Sequence, residues 1–186
     1  MFCALASSAS RAGKRLLSPF VCRLARNSDG AALLEFALLG PAFLALLVAI
    51  LQTGVVFLFQ QTLQTATTQT ARLIMTGQAQ TQKISSATFL KDVCSAAGNV
   101  FDCSKLSANI QTFTTFSGMQ TTNPVSGGTF TQPTNYSLGG PGDIVLVQIF
   151  YQLPVVTAPL GYTMANTSNG NALLTATAVF RNEPYQ

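Results

Sequence analysis

From Phe36 to Phe59 the chain runs for 24 residues without a charged side chain, and only Gln52 and Thr53 carry polar groups. As a helix rising 1.5 Å per residue, this run covers about 36 Å. That is enough to cross a hydrocarbon layer of roughly 30 Å with some tilt. A helix in a water-soluble core is seldom apolar on every side for so long. Gly40-Pro41 lies within the run; proline removes a backbone donor, and membrane helices tolerate this. Glu35 stands at the head of the segment. A charged group at the centre of such a helix costs roughly 2.5–3.5 kcal/mol on insertion scales, so a carboxylate beside the run calls for a compensating partner.

The rest of the charge is unevenly placed. Arg11, Lys14, Arg15, Arg23 and Arg26 precede Gly30, against one acid, Asp29. From Ala31 onward, five basic residues balance five acids. The net charge of +4 and the pI of about 9.1 therefore belong to the leader. No basic stripe with interleaved aromatics points to a nucleic acid. The upstream cations place the N-terminus in the cytoplasm and the C-terminal part outside it. A cleaved secretory signal would have an apolar core of about 7–15 residues and a small-residue site after it. This run is longer and begins later. A plain signal anchor explains the topology but gives Glu35 no role.

Gly30-Ala31-Ala32-Leu33-Leu34-Glu35-Phe36, between a basic leader and an apolar helix, resembles the processing site of class III signal peptides. The chain resembles a TadE-like minor pseudopilin of the tight adherence (Tad/Flp) pilus system. The resemblance implies cleavage after Gly30 by a prepilin peptidase, leaving Ala31 first, Glu35 fifth and Phe36 sixth. Ala71-Arg72 with Thr76-Gly77, and Ala178 to Pro184, also resemble TadE-like sequences. The family further implies other pilins and pseudopilins, an inner-membrane pilus platform and the lipid bilayer as partners. It also implies a part in pilus assembly, surface adhesion and biofilm formation.

The chemistry fits that spacing. Cleavage creates an α-amine on Ala31, mostly protonated at neutral pH. A carboxylate one turn inward pairs with it, in the same subunit or, as the family implies, in a neighbour. Pairing offsets the desolvation of both charges and sets axial register between helices. A carboxylate near a helix N-terminus is also favoured by the macrodipole.

Beyond the run, residues 60–82 are rich in Thr and Gln, with Leu63, Ala66, Thr70 and Ile74 at helical spacing and Gly77 as a stop. The reading is a basic leader over 1–30, a long helix over 31–78 that spans the membrane over about 36–59, and an exported domain over 79–186. Arg72 reads as a surface or domain-facing contact. Cys3 and Cys22 fall in the leader, Cys94 and Cys103 in the exported part, where disulfides persist. The latter pair closes a ten-residue segment. Two thiols without further ligands do not complete a zinc site, and the spacing is not C-x-x-C, which favours a structural disulfide.

Residues 112–142 read as loops and strand edges, and 143–151 as a strand interrupted afterwards by Pro154 and Pro159. A last strand is expected over Leu173–Phe180; if it continues, Arg181 and Glu183 share a face. The fold class is α+β: a long transmembrane helix, then a small domain with an antiparallel sheet. The chain contains no His, which removes the usual triads and general bases, and no phosphate-cradling loop. No enzyme activity, cofactor or metal is expected. Besides the pseudopilin, two readings stand. One is a single-pass inner-membrane assembly factor of the same machine that stays out of the filament. The other is an exported binding module on an ordinary, uncleaved signal anchor.

Overall fold

The computed structural model describes residues 30–98, 100–155 and 161–185. The leader, with Cys3 and Cys22, and Pro159 lie outside the described residues. The chain forms two compact units, residues 1–47 and 48–186. Helix α1 (Ala31–Met75) begins in the first and ends in the second, with Pro41 inside it. The described part of the first unit is Gly30 and the opening turns of α1.

The second unit is α+β. After α1 come α2 (Gln78–Thr81) and α3 (Ser86–Ala96), then β1 (Leu106–Phe113), a short hairpin of β2 (Val125–Ser126) and β3 (Thr129–Phe130), β4 (Ile144–Pro154) and β5 (Asn171–Arg181). The main sheet is antiparallel in the order β1-β4-β5. Its register runs from Leu106↔Tyr151 to Phe113↔Ile144 on one side of β4, and from Ile144↔Arg181 to Pro154↔Asn171 on the other.

The helical spacing read from the sequence sets the core. Val56, Leu63, Ala66, Thr67, Thr70, Ala71 and Ile74 are buried. Against Leu63 and Ile74 the core gathers alternate residues of the sheet, among them Ile110, Val147, Ile149 and Leu174. Each such aliphatic side chain contributes about 1.5–3 kcal/mol when fully buried. Several threonines of α1 fit a helix because their hydroxyls turn back on it. Thr62, Thr68 and Thr70 donate to the carbonyls of Leu58, Gln64 and Ala66 at 2.8–2.9 Å.

The glutamines have another task. Strand β5 is an edge, and an open edge presents unpaired backbone groups. Gln60 Nε2 donates to the Thr175 carbonyl (2.8 Å), and Gln64 Nε2 to that of Thr177 (3.0 Å). The Thr177 N–H donates in return to Gln64 Oε1 (3.2 Å). Two rungs along, Asn166 takes the Leu173 N–H (2.6 Å) and donates to the Leu173 carbonyl (3.3 Å). A carboxamide carries the same donor and acceptor as a peptide unit, so these side chains stand where another strand would pair.

The opposite face of the sheet is closed by polar groups. Asn109 Nδ2 donates to Gln148 Oε1 (3.0 Å), which also accepts from the Thr122 N–H (3.1 Å), and Gln111 donates to Asn109 and Thr122. The β2–β3 turn needs Gly127 and Gly128, at φ of 58° and 80°. It brings Phe130 to 6.3 Å from Phe150.

Helix α3, not foreseen in the sequence, starts at Ser85, whose hydroxyl accepts from the Thr88 N–H, and buries Phe89, Val93 and Cys94. Tyr136 donates to the Ile84 carbonyl (2.9 Å). Burial and then the Asp92 carboxylate push its phenol up, which keeps it a donor. Cys94 and Cys103 are joined in a disulfide with their Cα atoms 5.8 Å apart. Next to it, Phe101 meets Phe59 of α1 and Tyr151 of β4 edge-on, at 5.5 and 4.8 Å.

Strand β4 extends to Pro154 instead of stopping before it. Pro154 is the last residue of the strand, at its margin, where a missing N–H is tolerated. Replacing Gln64 with Leu keeps bulk but strands both backbone groups of Thr177. A loss of about 1–3 kcal/mol in denaturant unfolding is expected, and an unchanged midpoint would refute the edge-closing role. Protein purified without reductant should show no free thiol at Cys94 or Cys103. Replacing both by Ser should cost about 2.7 kcal/mol by the loop-closure relation.

Candidate processing and assembly site

Gly30 directly precedes α1, is exposed, and has no heavy atom within 4 Å of where a Cβ would stand. Ala31 is the first residue of α1 and Glu35 the fifth. Helical side chains lean toward the N-terminus, and residues four apart lie one above the other. The Glu35 carboxylate is therefore carried back toward the nitrogen that cleavage would free. Among the described residues no cation forms an ion pair with Glu35; the ion pair found there is Lys105–Asp102, at 3.4 Å. Glu35 is exposed.

Phe36 is 75% exposed and Leu33 74%. The Phe36 ring lies 3.6 Å from the position a Cβ would take on Gly40, so the small residue at i+4 leaves room for it. Most of the apolar side chains that follow are exposed as well, from Leu38 to Leu58. Ala32–Met75 is the one helix among the described residues long and apolar enough to cross a membrane, and 11% of its most apolar stretch is buried. Such a surface fits contact with lipid or with other helices of the same kind.

The far end of α1 is held by the C-terminal segment. Gly77, at φ 77°, ends the helix as its position suggested, two residues after Met75. The Glu183 N–H donates to the Met75 carbonyl (2.9 Å), a helix-end acceptor that would otherwise be open. Asn182 is buried and donates to the carbonyls of Leu138 (3.0 Å) and Gly140 (3.1 Å). Gln80 donates to Leu138 as well (2.9 Å). Arg181 Nε donates to the Gly142 carbonyl (2.7 Å), and Tyr185 Oη to that of Gly139 (3.3 Å). The strand ends at Arg181, so Arg181 and Glu183 do not form the shared face that a continuing strand would give. Arg72 is exposed on the last turn of α1.

The sequence pointed to Gly30, Ala31, Glu35 and Phe36 as one constellation, and they lie together at the start of α1. Cys94 and Cys103 belong to the second unit and brace α3. Gln60, Gln64, Gln80 and Asn182 were missed. Gln60 and Gln64 at i and i+4 on the flank of the buried stripe were the available signal.

Gly77 combines two demands. Its backbone is left-handed, which costs other residues about 1–2 kcal/mol, and a Cβ there would overlap the Tyr185 ring. Gly77→Ala should destabilise by more than the backbone cost alone. Pairing it with Tyr185→Ala should recover part of the loss in a double-mutant cycle; strict additivity would show that the ring does not press on Gly77.

A family profile described as TadE, TadE-like protein, matches residues 30–72. No curated protein and no solved structure matches the chain significantly. The match begins at the residue before the proposed cleavage and ends at Arg72, short of the C-terminal likeness. Over residues 30–72 this chain is similar to TadE-like proteins of the Tad pilus system.

Proposed function

We propose that this chain is a minor pseudopilin of a Tad/Flp-type pilus, cut after Gly30 by a prepilin peptidase. The observation that carries this reading is an exposed Gly30 followed at once by an exposed apolar helix with Glu35 at its fifth residue. The helix lies in the inner membrane with the leader in the cytoplasm and the domain outside, as the cations before Gly30 require. Cutting frees the Ala31 amine, and Glu35 is the anion placed to answer it. When the helix leaves lipid for a filament core, its exposed apolar side chains exchange lipid tails for neighbouring helices. That exchange is nearly neutral for apolar surface, so the amine–carboxylate pair supplies register. The role is structural, serving assembly and, on the surface, adhesion and biofilm formation.

N-terminal sequencing of membrane-extracted protein should begin at Ala31; an intact leader sinks the processing claim. Glu35→Ala should leave cleavage intact and abolish recovery in sheared surface filaments. A variant that is recovered normally would overturn the charge-pairing role. Wild-type protein that is cleaved but never found in filaments would instead mark an inner-membrane assembly factor.

A further inference from the structure

Eight carboxamides of the domain are committed to holding it together. Gln60, Gln64 and Asn166 close the β5 edge, Gln80 and Asn182 hold the end of α1, and Asn109, Gln111 and Gln148 bond across the polar face. Several others make no such bond, and some of these line one cleft. Where β1 and β5 begin and β4 ends, an open cleft of about 260 Å³ is lined by Ser104, Lys105, Ser107, Phe130, Gln152 and Asn171, among others. Among the described residues, the carboxamides of Gln152 and Asn171 have no protein partner. Ser107, a lining residue 2% exposed, has a hydroxyl that is buried and without a hydrogen-bond partner. A buried hydroxyl in that state favours any ligand atom that reaches it.

The geometry points to a binding site for a neutral pyranose sugar unit. The cleft is smaller than those that enclose drug-sized ligands, which limits it to about one ring. Its charge is answered internally: Lys105 pairs with Asp102 at 3.4 Å, and Ser104 donates to Asp102 at 2.6 Å. That pairing leaves the cleft little net charge to draw an anion, and a neutral hydroxylated ligand need not compete with the carboxylate. Each free carboxamide offers an amide NH2 that donates and a carbonyl oxygen that accepts, the combination a sugar hydroxyl needs. Phe130 supplies an apolar wall for the C–H face of a ring, and Ser107 supplies the buried contact. The site stands independently of filament entry, because it lies wholly on the exported domain.

The test uses the full chain in phosphatidylcholine nanodiscs, free of sugar-headed detergent. Glucose, galactose, mannose and N-acetylglucosamine are each probed by saturation-transfer difference NMR, with inorganic phosphate as a competitor. At least one sugar should receive saturation and be unaffected by phosphate. Gln152→Ala and Ser107→Val should each weaken it about tenfold, the scale of one lost polar contact. Ser107→Val should not lower the thermal midpoint, since the hydroxyl has no protein partner to lose. No transfer to any of the four sugars at tens of millimolar, equal transfer in both variants, or displacement by phosphate would each overturn the assignment.

Discussion

The attachment of α1 to the sheet is the constraint on which the α+β domain rests. One face of the helix, from Val56 to Ile74, fills the core, and its flank reaches around the rim through Gln60 and Gln64. A three-stranded sheet has two edges and only one central strand. Here β4 is satisfied by its neighbours, β1 is met by the Ser137 and Asn135 backbone at Ile110, and β5 is met by side chains. Apolar burial supplies most of the energy, yet it does not fix direction. The paired hydrogen bonds between Gln64 and Thr177 do, because they are made only at one rotation and one height of the helix.

Helix α1 also changes character along its length. Within the second unit, Val55, Phe57 and Leu58 are exposed while Val56 is 7% exposed. Sidedness therefore begins at Val56 and is full by Leu63. Just before it, Thr53 hydrogen-bonds Tyr162 at 2.9 Å. Thr53 of the polar pair Gln52-Thr53, inside an otherwise apolar run, thus meets Tyr162 of the domain. A threonine there satisfies the Ala49 carbonyl and a tyrosine hydroxyl together.

The legible parts of the sequence were those governed by local rules. The buried stripe of Leu63, Ala66, Thr70 and Ile74 follows from period, the stop at Gly77 from a left-handed backbone, and β4 from a β-branched run. That Gly30–Phe36 would sit together at the head of one helix was legible because these residues are neighbours in sequence. Strand β1 was not, because Ser107, Asn109 and Gln111 make one of its faces look like loop. That face is polar for a long-range reason: Asn109 is paired with Gln148. Helix α3 is short, and its clearest marker is a single capping serine. The clasp at the end of α1 and the spare carboxamides of the cleft depend on residues tens of positions apart, for which one sequence carries no period.

That separation has a kinetic side. The bonds from Gln60 and Gln64 to β5 span 115 and 113 residues, and the Met75 carbonyl waits for Glu183. The helix emerges first and its docking strand nearly last. Contacts that far apart in sequence form slowly, since a long loop must close before they give anything back. Throughout that interval the stripe from Leu63 to Ile74 faces water or other chains. The Thr and Gln residues that surround it keep the waiting segment soluble and weakly sticky. The composition that makes this half of the helix look nondescript is thus suited to a segment that must wait for its docking strand before it can fold.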